Sequence, residues 1–194
     1  MLVVDKSISN VKQLKGKTFA IPHRASSHYI LLVDALKKGG LTTKDVKIVE
    51  LTPPEMPSAL ANGQIAGYCV AEPFGAVSVK QGYGRVLYRS DELWPHSICC
   101  ALVFNDKAIS NKTKQIKALL ADYKANGKRL SDKKAALSTA RELLTQPAPV
   151  LEQSLNWIDY SDLTITESAY NTLAKKVKED GILSNPPSYK SFVK

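Results

Sequence analysis

Between positions 17 and 104, short apolar runs alternate with stretches of helical spacing, the sequence habit of a βαβ sheet domain. The runs predict strands over 18–21, 46–51, 67–71, 85–88 and 98–104, and the stretches between them predict helices over about 27–38, 54–62 and 73–81. Each predicted helix has a stop signal: Gly39 and Gly40 after the first, Gly63 after the second, Gly82 after the third. The second also opens on Thr52, Pro53, Pro54 and Glu55, where a threonine can cap free amides while a glutamate three residues on reaches back.

After Asn105 the pattern becomes helical throughout. Ile116, Leu119, Leu120 and Tyr123 recur at spacings of three, four and seven, which marks a face that needs a partner. Further helices are predicted over about 132–144, 147–157 and 166–180, the last following Thr164-x-x-Glu167 and ending at Gly181. Residues 185–189, Asn-Pro-Pro-Ser-Tyr, read as an extended tail. The expected organisation is an α/β domain over 1–105 and a helical segment over 106–194, with no internal repeat or low-complexity linker.

Composition narrows the class. The 194 residues are 44% apolar, a globular balance long enough to enclose a core without disulfide staples. The net charge of +9 raises the question of a nucleic-acid partner, but residues 1–105 carry 12 basic and 8 acidic side chains and residues 106–194 carry 15 and 10. Charge spread so evenly, with no basic arm and no basic run interleaved with aromatics, argues for a solvated surface rather than nucleic-acid binding. The longest apolar run, Ile98 to Phe104, is seven residues, far short of the roughly 20 that a membrane-crossing helix needs. The opening Met1-Leu2-Val3-Val4-Asp5-Lys6 shows no secretory signal, so the expectation is either a cytoplasmic protein or one whose front is missing from this chain. Cys69, Cys99 and Cys100 lack metal-ligand spacing and read as buried thiols, the adjacent pair lying within the expected strand 98–104.

Two turns carry candidate chemistry. Pro22-His23-Arg24-Ala25-Ser26-Ser27-His28 lies where a strand gives way to an apolar helix, and the unpaired amides of a first helical turn favour anions. Ser26, Ser27 and His28 can each donate to an oxyanion there; equally, a serine at that position simply caps the helix. Arg24 reads as a solvated loop charge. Val70-Ala71-Glu72-Pro73-Phe74-Gly75 sits at a second strand-to-helix turn. In an open α/β sheet, ligands gather beyond the carboxyl ends of the strands, so both turns are expected to share one crevice. There Glu72 contacts a ligand amine, holds a neighbouring loop, or stabilises the positive end of the helix that Pro73 begins. A third segment, Trp94-Pro95-His96-Ser97, is a candidate aromatic wall over a ligand. The glycine-rich nucleotide loops, the Gly-x-Ser-x-Gly elbow and His-Glu-x-x-His are all missing from the sequence, which favours a binder over an enzyme with no metal or cofactor expected.

Several segments in order, Leu14-Lys-Gly-Lys17, Ile21-Pro22, Ser26-Ser27-His28, Pro54-Glu-Met-Pro57, Ala59-Leu-Ala-Asn-Gly-Gln-Ile65 and Ala71-Glu-Pro-Phe74, resemble the solute-binding proteins of nitrate/sulfonate/taurine-type ABC importers. The resemblance runs from about Ser7 to Phe104. It implies a periplasmic-binding-protein-like type II fold, a two-lobed clamshell that closes on its ligand. It further implies that Ser26, Ser27 and His28 hold the anionic head group, with Glu72 and Pro73 near the same cleft. The implied protein is non-catalytic and extracytoplasmic, periplasmic or lipid-anchored in its full-length form, and works with an ABC permease in the membrane. Against the family pattern this chain starts near the crossing into the second lobe, so the helices after residue 105 are expected to lack the first lobe as their cover and to favour self-association. Two alternatives share the scaffold. Fungal thiamine-pyrimidine synthases resemble these binders and use a histidine and a cysteine-rich stretch, for which His28 and Cys99-Cys100 are the counterparts here, so thiamine-pyrimidine precursor binding or synthesis is the second reading. A LysR-type effector domain needs an upstream helix-turn-helix, which this chain does not contain.

Overall fold

The computed structural model describes residues 1–193. Its sheet has five strands, β1 Leu2–Asp5, β2 Thr18–Ile21, β3 Lys47–Glu50, β4 Gly67–Cys69 and β5 Gly84–Tyr88, in the order β3-β2-β4-β1-β5. β2 runs parallel to both β3 and β4, while β1 runs antiparallel to β4 and β5. Helices α1 Ser27–Lys38, α2 Glu55–Ala61 and α3 Phe74–Lys80 connect the parallel strands, followed by the single turn α4 Ser90–Leu93. Four of the five predicted strands and all three predicted helices of this half are therefore present, within two residues at each end.

β1 is the element that the hydrophobic pattern did not give. Leu2, Val3 and Val4 are fully buried between β4 and β5, so an inner strand of the sheet is a four-residue element too short to show periodicity. β4 passes its neighbours closely: a Cβ on Gly67 would lie 2.7 Å from Val3 O and 2.8 Å from the Phe19 ring. Only glycine fits there. Two apolar layers cover the sheet. Leu2, Val4, Phe19 and Ile21 pack with Ile30, Leu32 and Leu36 of α1 on one face, and Val3, Ala20 and Tyr68 pack with Met56 and Leu60 of α2 on the other. The Tyr68 hydroxyl is satisfied inside by Phe74 O at 2.9 Å and Ser78 Oγ at 2.6 Å.

The expected strand over 98–104 does not form. Residues 97–105 have no regular structure, Leu102 and Val103 are 44% and 66% exposed, and Cys99 and Cys100 are exposed while Cys69 is buried. An apolar run alone does not make a strand when no neighbour offers it a ladder. The chain's contacts divide within this run, into one unit of Met1–Cys99 with Ile165–Lys194 and another of Cys100–Thr164. That division differs from the boundary expected near residue 105, because the last helices rejoin the sheet.

In the first unit, α9 Glu167–Glu179 places Leu173 and Val177 against the α1 side of the core, and its Lys176 pairs with Asp34 of α1 at 2.7 Å. Lys37 reaches Asp180 at 3.0 Å, a hydrogen bond that holds the Lys37 ammonium above its usual range. Thr166, rather than the expected Thr164, caps α9 by accepting the Ala169 amide. The tail ends in α10 Tyr189–Phe192, whose Tyr189 stacks edge-on against Tyr170. In the second unit, α5 Asp106–Asn111, α6 Thr113–Leu130, α7 Lys133–Leu143 and α8 Ala148–Trp157 form a helical group. Its buried side chains are few: Ala136, Val150, Leu151, Ser154 and Leu155. Gly127 lets α6 approach Leu163, and Lys133 donates to the carbonyls of Leu155 and Ile158 at the end of α8.

Candidate functional site

β2 and β4 lie side by side and parallel, with Phe19 opposite Gly67 and Ala20 opposite Tyr68. The turns that follow them therefore leave the same edge of the sheet, the carboxyl end where open α/β sheets receive ligands. The first turn carries Ser26, Ser27 and His28, and the second carries Glu72 and Pro73, so the fold brings both groups of expected site residues to one edge.

In the first turn Ser26 is the N-cap of α1. Its hydroxyl donates to His23 O at 2.6 Å and accepts from the Tyr29 amide at 3.3 Å, so its one proton is already committed and the capping role is the one it fills. Ser27 and His28 occupy the first two helical positions, whose amides have no carbonyl within the helix to pair with. The Ser27 hydroxyl makes a long contact to Cys99 O at 3.4 Å, easily exchanged for a better acceptor. His28 is half-buried, and burial first, then the Met1 ammonium, lowers its pKa to about 4. It is neutral at neutral pH and offers a ring N–H rather than a charge. Arg24 is exposed, as a loop charge should be, and is also tied to β3: its amide donates to Glu50 Oε1 at 2.7 Å and its guanidinium to Ile48 O at 3.3 Å.

In the second turn, Glu72 Oε2 accepts the Ala76 amide at 3.0 Å, satisfying the start of α3. Gly75 makes room for this carboxylate, since a Cβ there would collide with Glu72 Oε1. Pro73 is the N-cap residue of α3, follows a cis peptide bond and is half-buried. Met1 lies at this edge as well, its amino group donating to Val70 O at 2.8 Å and its Cβ 3.3 Å from the Cβ position of Gly75. The sequence reading missed Met1 because it missed β1, although Leu2-Val3-Val4 is itself a β-branched apolar signal.

Trp94 is no wall over this edge. It is 2% exposed, sits in the α1-side core, and has the Lys176 ammonium 5.6 Å from its ring centre. Among the described residues no three His, Cys, Asp or Glu side chains cluster as a metal site, and no helix is long and apolar enough to cross a membrane.

What the edge can do follows from these groups. It presents two helix-terminal amides, a serine hydroxyl and a neutral imidazole, all donors that suit an oxyanion.

Comparison with known proteins places the chain among solute-binding proteins. The chain is 40% identical over 92 residues to the taurine-binding periplasmic protein of Escherichia coli K12, an alignment covering 47% of this chain and 28% of that protein. It is 33% identical over 94 residues to a putative aliphatic sulfonates-binding protein of the same organism, covering 48% and 29%. The matched region thus spans less than a third of either curated relative. Among solved structures, the ligand-binding component of an ABC-type import system from Staphylococcus aureus, determined with zinc bound, superposes at TM-score 0.93 and 34% identity over 100% of this chain and 67% of that one. The aliphatic sulphonate binding protein SsuA of Escherichia coli shares the fold at TM-score 0.78 and 19% identity, over 100% of this chain and 64% of that one. The desulfurization enzyme DSZB shares it at 0.66 and 13%, so the scaffold also carries catalysis elsewhere. The fold is that of the periplasmic binding proteins, and the curated relatives are binding proteins. The NMT1-like family model matches residues 3–144, nearly three quarters of the sequence, and the chain belongs to that family.

Proposed function

We propose that this chain is the ligand-receiving lobe of an extracytoplasmic solute-binding component of an ABC importer for a small anion of the sulfonate, taurine or nitrate class, without catalytic activity. The observation that carries the reading is the start of α1. Ser27 and His28 present two unpaired amides, a loosely engaged hydroxyl and a neutral imidazole at the edge where β2 ends, and this is a site for an anion's oxygens. Ser26 shapes the turn from behind, and Glu72 and Pro73 form the neighbouring rim, where Glu72 holds the start of α3. The membrane permease is the partner that such a component requires. The taurine- and sulfonate-binding relatives support the solute class, and nothing in them supports the pyrimidine-precursor alternative.

The helical group Cys100–Thr164 is the surface we assign to a first lobe. It leaves Leu102, Val103, Leu119, Tyr123, Leu143 and Leu144 exposed, and the Staphylococcus aureus structure has a further third of chain beyond the part this one matches. Without such a cover these side chains favour self-association of the chain.

Thermal-shift titration with taurine, alkanesulfonates and nitrate tests the function, because a ligand that binds only the folded state raises its melting temperature. A rise with at least one of these anions, absent in a Ser27→Ala, His28→Ala double variant, is the expected result. No rise with any of them overturns the anion reading.

A further inference from the structure

The turn that presents Ser27 and His28 is five residues long, and two of its side-chain bonds are made within itself. Ser26 Oγ donates to His23 O, and the Ala25 amide donates to His23 Nδ1 at 3.0 Å. Local bonds of this kind shape a loop without fixing it to the sheet. Two bonds from Arg24 tie it to β3, the shorter of them to a side chain. Ile21 at the end of β2 stands opposite Glu50 at the end of β3, and from there the Glu50 carboxylate accepts the Arg24 amide at 2.7 Å. The same pairing turns the Arg24 guanidinium back along β3 to Ile48 O at 3.3 Å, on the outer edge strand of the sheet.

This arrangement is unexpected for an anion site, because an acidic side chain stands at its rim and the nearest arginine is bonded to the sheet edge. A carboxylate there repels an anion through space, a modest effect for an exposed group. It also makes a charge-assisted hydrogen bond to the backbone of the turn that must hold the anion's donors in place. The 2.7 Å distance and the register of β2 against β3 favour the second role.

We propose that Glu50 is a positioning residue for the anion site: its carboxylate fastens the Arg24 amide and so holds the β2–α1 turn in the geometry that aims the Ser27 and His28 donors. This inference rests on the anion reading above only for its effect on binding. The tether itself is a property of the unliganded chain and can be measured without any ligand.

The test uses the whole 194-residue chain with Glu50→Ala and Glu50→Gln variants. Glutamine keeps an acceptor oxygen and removes the charge, whereas alanine removes both. Hydrogen exchange over residues 22–28 comes first. The Arg24 amide is expected to exchange faster in Glu50→Ala and to return close to the original rate in Glu50→Gln; an unchanged rate in Glu50→Ala overturns the proposal whatever the chain binds. Titration with methanesulfonate and with nitrate comes second. Glu50→Ala is expected to weaken binding by roughly three- to tenfold, the range of one lost hydrogen bond, while Glu50→Gln binds as the original or slightly tighter. Equal or tighter binding in both variants shows that Glu50 acts only as a repelling charge and overturns the proposal. If the original chain binds neither anion, the functional reading fails on its own, and the exchange rates still decide the tether.

Discussion

The sheet unit and the helical unit bury their apolar residues to very different degrees. In Met1–Cys99 with Ile165–Lys194, the side chains of Leu2, Leu14, Phe19, Ile21, Leu32 and Leu36 are fully enclosed, and the buried polar atoms of Tyr68 and Ser78 bond to each other. Among the described residues, six of the eight large exposed apolar side chains lie in Cys100–Thr164, about a third of the chain. α6 illustrates the contrast. It runs 18 residues, its apolar positions repeat at helical spacing, and Gly127 is its only buried residue. A helix patterned for burial and left open is made for a surface that the second unit does not supply. The first unit is a finished core, and the second leaves much of its apolar surface open.

Substitutions sharpen that contrast. The largest effect is expected inside the sheet: Phe19→Ala removes a fully buried ring from the layer between the sheet and α1 and should cost about 3–5 kcal/mol by denaturant unfolding. Gly67→Ala forces a Cβ against Val3 O and the Phe19 ring and should cost about 1–3 kcal/mol in the same assay. A loss well below 1 kcal/mol for either would mean that the sheet packs less tightly than its distances state.

A third effect is pH-dependent and local to the site. The pKa of His28 in the folded chain is about 4 against 6.5 for the free side chain, so between those values the unfolded chain binds the extra proton. The stability this provides is complete above pH 6.5 and is lost as pH falls towards 4. The melting temperature should drop across that window, and His28→Gln should flatten the drop. The hydrogen-bonded carboxylates Asp5, Asp45 and Glu55 are held below their usual range, so the stability they add is present above that range and lost as pH falls through their lowered values. The smallest effect on stability is expected in the helical unit. Leu143→Ala, at a side chain 75% exposed, should change unfolding by no more than about 0.5 kcal/mol. Its signature lies in light scattering instead, where Leu119→Glu with Leu143→Glu should reduce any self-association of the chain.

Much of the sheet unit was legible because its strands and helices carry their own punctuation. Gly63 and Gly82, at φ of 68° and 80°, end α2 and α3 where the sequence placed their stops. Glu55 reaches back to the Thr52 amide at 2.9 Å, as the spacing suggested, but the Thr52 hydroxyl donates to Glu55 rather than capping an amide. The failures share a cause. β1 is too short for a period, and Ile98–Phe104 is apolar without a neighbouring strand, so in both cases long-range pairing decided what local pattern could not. Trp94 was misplaced for a related reason, since its burial depends on α9, some 80 residues further along the chain. At the site, sequence located both turns. It could not divide their labour: Ser26 caps α1, and Glu50 holds the turn from 26 residues away in sequence from Arg24.

The central claim is that the edge of the sheet unit, at the start of α1, receives a small anion. The most direct test is a proton–nitrogen correlation spectrum of the labelled chain titrated with methanesulfonate and with taurine. The account predicts saturable shifts of the Ser27 and His28 amides, smaller shifts in the turn at Glu72 to Gly75, and little change across Cys100–Thr164. Shifts confined to the helical unit, or none at the start of α1 at saturating ligand, would contradict it.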